Sequence, residues 1–147
     1  MKYSMRSIMP KISTPVLLST LWIFLTFNAA YGDIGTLYQS VYVGIIKNGI
    51  QYTQVFLLFG DVLVEIGIVM ILLSRVLNRR ANRLANMGAG IFLTAVQVVS
   101  LFVGTPTLAY AFVSIMMIGA GVAIVWSAWN WHAVPSSPEI SQMSPNV

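Results

Sequence analysis

Four times along its length this chain runs through Val, Ile, Leu, Phe, Ala and Met with hardly a charge, and that pattern decides what it can become. The runs cover residues 15–31, 53–77, 84–103 and 107–131. Each is near the roughly 20 residues that cross about 30 Å of hydrocarbon. Hydrocarbon offers no water to an unpaired peptide group, so each run must be a helix and the helices must pack together. The expected fold is all-α, an integral membrane four-helix bundle, with the transmembrane domain filling residues 15–132. Composition agrees: 57% of residues are hydrophobic and 8% charged, against about 25% charged in an ordinary soluble domain. Residues 1–14 read as a cytoplasmic N-terminal segment. Residues 133–147, with Pro135, Ser136, Ser137, Pro138, Ser144 and Pro145, read as a disordered cytoplasmic tail.

The basic residues set the orientation. Lys2, Arg6 and Lys11 precede the first run, and Arg75, Arg79, Arg80 and Arg83 bracket the turn between the second and third, leaving Lys47 alone on the other side. The positive-inside rule then puts both termini in the cytoplasm. Trp126, Trp129 and Trp131 would form an aromatic belt at that same surface, beside a solvated His132. Because these cations sit at span ends, the net charge of +4 is a topology signal and gives no reason to expect nucleic acid; the partner is the bilayer. The arginines could in addition meet anionic headgroups. The N-terminal pattern also imitates a signal peptide, but Asn28 sits poorly where a small residue is wanted before a cut. Residues 34–52 form the long outer connection, read as an interfacial helix, with a lid over an outward-opening cavity as the alternative.

Asp61 and Glu65 stand out within the second run. They lie one helical turn apart and share a face with Gln54, Leu58, Ile68 and Leu72. A central acid costs about 2.5–3.5 kcal/mol on insertion, while Leu, Ile, Phe and Val each return about 0.3–0.6. The 14 such residues between Val55 and Leu73 roughly offset two ionised acids. Intramembrane ionisable groups are functional candidates by default. By depth, Gln97 and Ser114 should lie level with Asp61, Thr94 near Glu65, and Asn28 and Tyr110 nearer the outer surface. The expected site is therefore a sheltered polar layer of Asp61, Glu65, Gln97, Ser114, Thr94, Asn28 and Tyr110, with no basic residue in it. Its plain structural role would be cross-helix hydrogen bonding. Its functional roles would be a proton or cation route, or a site for a lipophilic ligand. Two carboxylates on one helix lack the histidines of di-iron bundles, so no metal, cofactor or catalytic residue is assigned. Gly119, Ala123 and Ser127, with Gly88 and Gly90, offer small faces for packing within the bundle or in a homo-oligomer.

Leu17-Leu-Ser-Thr-Leu-Trp-Ile-Phe24 with Gly32-Asp-Ile34, the stretch Leu72 to Arg83, and Thr94 to Thr107 resemble a family of small four-span bacterial membrane proteins. It is known only as a domain of unknown function, the six-three-two-six family. The resemblance would cover about Val16 to Trp131 and implies a four-helix protein of the bacterial inner membrane; it brings no active residue. A looser likeness to DoxX-type membrane proteins is architectural. The residues favour a non-enzymatic protein that binds or passes a proton, small cation or lipophilic ligand. The alternatives are a small membrane enzyme acting on a lipid or isoprenoid-like substrate, or an accessory subunit of a membrane complex.

Overall fold

The computed structural model describes residues 12–42, 54–103 and 106–131. Its regular structure there is entirely helical: α1 (Thr14–Tyr42), α2 (Gln54–Val76), α3 (Arg79–Ser100) and α4 (Leu108–Trp129). Three helices contain stretches long and apolar enough to cross a membrane, Thr14–Gly35, Leu57–Val76 and Leu108–Trp129. α3 is not among them, because it opens on Arg79-Arg-Ala-Asn-Arg83.

Caps explain two of the boundaries. Asn78 is extended, and its side chain accepts a 3.1 Å hydrogen bond from the Ala81 amide. An N-cap asparagine gives one of the orphan first-turn amides an acceptor. α3 therefore starts at Arg79, ahead of residue 84, and the turn expected over Asn78–Asn82 shrinks to Leu77 and Asn78. Thr107 does the same for α4, accepting from the Tyr110 amide at 3.2 Å. At the other extreme, α1 runs past residue 31 as far as Tyr42. Gly32 and Gly35 weaken a helix by about 1 kcal/mol each, but no proline follows until Pro106, so nothing forces a stop. Part of the expected outer connection is thus helix. Residues 43–53, on which the lid alternative depends, and the tail 133–147 lie outside the described residues.

α1 packs along both α2 and α4, and α3 along α4, whereas α2 and α3 touch sparsely despite their short turn. Two similar crossings hold the pairs. A methyl group on Gly67 would stand 2.7 Å from Thr26 Oγ1, and one on Gly121 would overlap Thr94 Oγ1. Glycine is what lets α1 meet α2, and α3 meet α4, this closely. Of the small residues expected to do this work, Gly90 does, since a methyl there would stand 2.9 Å from Val125 Cγ2 of α4, whereas one on Gly119 or Gly88 would meet open space.

The dry core of Leu18, Trp22, Leu25, Met70, Ile124 and Ala128 sits toward the end where α1 begins and α4 finishes. A buried polar network lies against it. Trp22 Nε1 donates to Asn86 Oδ1 at 2.6 Å, and Ser74 Oγ donates to the same oxygen at 3.1 Å. Asn86 Nδ2 donates to the Asn82 carbonyl at 2.8 Å, and Asn82 Nδ2 to the Ser74 carbonyl at 2.6 Å. Arg75 Nε donates to buried Ser19 Oγ at 3.0 Å. Arg79 reaches α4's end, donating to the Trp131 carbonyl at 2.7 Å. All four helices are joined at this one end.

Candidate functional site

Away from that joined end, a cavity of about 170 Å³ opens between all four helices. Leu25, Leu63, Val64, Leu93, Val113 and Met117 give it apolar walls. Its polar groups come from three helices: Thr26 and Asp33 of α1, Thr94 and Gln97 of α3, Tyr110 and Ser114 of α4. α2 contributes only Gly60, Leu63, Val64 and Gly67. A hydrogen-bonded chain fixes the α3–α4 wall. Gln97 Nε2 donates to the fully buried Ser114 Oγ at 2.8 Å, Tyr110 Oη donates to Ser100 Oγ at 2.8 Å, and Ser100 Oγ donates to the Gln97 carbonyl at 2.7 Å. Two lining threonines keep their hydroxyl oxygens, Thr26 Oγ1 and Thr94 Oγ1, buried in the crossings with Gly67 and Gly121 and without a hydrogen-bond partner. Buried polar groups left unpaired are uncommon and costly.

Four of the expected site residues meet here: Thr94, Gln97, Tyr110 and Ser114. Asn28 does not; its amide donates to the Phe24 carbonyl of its own helix at 2.8 Å. Asp61 and Glu65, expected to be sheltered within the bundle, are instead exposed on its outer side, alongside Leu58, Ile68 and Leu72. The reason is the Thr26–Gly67 crossing. Close approach to α1 demands α2's smallest face, and turning Gly60, Val64 and Gly67 inward rotates positions 61 and 65 away. The acid that does line the cavity is Asp33, and Asp61 is near enough for the two carboxyls to repel. Asp33 escaped the sequence reading because the first span was closed at residue 31. The signal for it was the lack of any helix stop there.

A model described as a family of unknown function, DUF6326, matches residues 11–136. The chain belongs to that family. Every cavity-lining residue of this DUF6326 protein falls inside the matched stretch. No curated protein and no solved structure matches it, so nothing supports the expected likeness to DoxX-type proteins.

The opposite end carries the cations. Arg79 lies over the Trp131 ring at 5.8 Å from its centroid, and Arg83 over the Trp129 ring at 6.0 Å. The aromatic belt and the arginine cluster therefore occupy one level of the bundle. His132 lies outside the described residues.

Proposed function

We propose that this DUF6326 protein is an integral membrane protein that binds a small lipophilic molecule, carrying one or two polar atoms, in the cavity among its four helices. The supporting observation is the cavity's size together with its lining. An apolar cavity of about 150 Å³ takes up benzene, so about 170 Å³ suits a ring or a short head, with any longer tail left outside. The ligand's polar atoms would meet the polar side chains of the wall, Asp33, Gln97 and Tyr110. The sparse α2–α3 seam gives a lipophilic molecule a way in from the bilayer.

Binding is favoured over passage of a proton or cation because fully buried Leu18, Trp22 and Ile124 fill the bundle toward the arginine end. An enzyme acting on a lipid is the weaker reading, since a single lining carboxyl gives no acid–base pair to work with. In the orientation that the basic residues favour, the arginine end faces the cytoplasm with both termini, in the bacterial inner membrane. A second reading, as an accessory subunit or homo-oligomer, draws on the outward carboxyls of Asp61 and Glu65. Acids within a span normally turn to a protein or to water, so that face suits contact with another chain.

Gly60→Leu tests the ligand reading. Gly60 lines the cavity, and a methyl there would meet no atom, so a larger side chain enters the space without a clash. Native mass spectrometry in mild detergent should show a small-molecule adduct on the unaltered protein. The variant should lose it while unfolding at the same temperature. An adduct that survives in Gly60→Leu, or its absence from every gentle preparation of the unaltered protein, would sink the idea.

A further inference from the structure

On the outer side of α3 and α4 an open groove of about 640 Å³ runs between Ile91, Ala95 and Val98 on one helix and Val122, Val125 and Trp126 on the other. Trp129 closes its lower end, and Arg83 lies over that ring. Helical spacing adds a second cation. Arg80 precedes Ile91, and Arg83 precedes Thr94, by about three turns at 3.6 residues per turn. Both arginines thus stand beneath the groove on its own side of α3. No described acid offsets them. Of Asp33, Asp61 and Glu65, the nearest to this end is Glu65, about 15 Å along α2 from Arg75 at 1.5 Å per residue.

We infer that this groove seats an acyl chain of an anionic phospholipid whose phosphate is held by Arg80 and Arg83 beside Trp129. The dimensions agree. From Ile91 to Val99 the groove rises about 12 Å, close to one leaflet's half of the roughly 30 Å hydrocarbon core. The surroundings agree as well. Tryptophan marks headgroup depth, and guanidinium groups pair with phosphate through two parallel hydrogen bonds. Charge complementarity selects the headgroup, since a zwitterionic lipid offers the same phosphate but adds a cationic group that offsets part of its attraction to the two arginines. This site lies on the outer face of the bundle, shares only Thr94 with the ligand cavity, and does not depend on that cavity being occupied.

The test uses the full chain in detergent, titrated with phosphatidylglycerol or phosphatidylcholine and read by native mass spectrometry. Phosphatidylglycerol should bind more tightly. The preference should fall about fivefold for each arginine replaced in Arg80→Gln and Arg83→Gln, the ratio equivalent to ~1 kcal/mol per basic side chain at a membrane surface. Arg80 is exposed, so Arg80→Gln alone remains informative should loss of the Arg83–Trp129 contact disturb folding. Val98→Trp, which fills the groove, should weaken both lipids. Millimolar inorganic phosphate should not displace the lipid, because the acyl chain supplies much of the binding. Equal binding of the two lipids, an unaltered preference in Arg80→Gln, or full displacement by phosphate would overturn the proposal. So would a dimer that excludes lipid from the groove, which would assign it to a second copy.

Discussion

Asn86 carries more of the bundle's polar bonding than any other described residue, serving Trp22 and Ser74 as acceptor and Asn82 as donor. Replacing it with leucine keeps the volume apolar but strands the Trp22 indole N–H in the core. A buried donor left unpaired costs about 1–3 kcal/mol. Asn86→Leu should therefore lose about that much stability in a reversible detergent unfolding titration. Asn28→Leu, which gives up only a bond to its own helix, should stay within about 0.5 kcal/mol. A loss for Asn86→Leu no larger than for Asn28→Leu would show that the network adds no stability. The network was poorly legible in the sequence. Asn82 and Asn86 stand four apart beside three arginines, a pattern that reads equally well as a wet helix end. Only the position of Trp22 across the bundle separates the two cases, and that is a tertiary fact.

Helical periodicity makes plain which residues of α2 share a face, yet it is silent on which face turns inward. Asp61 with Glu65 and Gly60 with Val64 and Gly67 form two stripes of one helix, and the flanking positions are apolar on both. Steric fit against Thr26 decides between them, and single-sequence reasoning gives the acids the inner place because charge is costly in lipid. The levels of Gln97 and Ser114, by contrast, follow from counting turns along two antiparallel helices, and the two side chains do bond at 2.8 Å. The outward acids lead to an expected outcome for Asp61→Leu with Glu65→Leu. Among the described residues no hydrogen bond is lost, so the thermal midpoint of the monomer should hold or rise. If the α2 face meets a second chain, the oligomer population seen by cross-linking in membranes should fall. A drop in monomer stability would instead show that the carboxyls bond within their own bundle.

For the whole molecule, four apolar runs were enough to read the number and type of helices. The caps at Asn78 and Thr107 were legible as residue types, though their effect on helix starts depended on local geometry. Orientation is open to direct measurement, since the chain has no cysteine and any thiol introduced is the sole label site. Leu108→Cys, highly exposed at the start of α4, should react with a membrane-impermeant maleimide in intact cells. Ser13→Cys, at the opposite end, should react only after the membrane is opened; the reverse pattern would invert the proposed topology. Because the asparagine network and the Arg79–Trp131 bond rivet the helices at a single end, that end behaves as a fulcrum. Among the described residues the far end has side-chain bonds between α3 and α4 alone, Gln97 to Ser114 and Tyr110 to Ser100, so any rocking about that fulcrum would part α2 from α3 like the jaws of a clothes-peg.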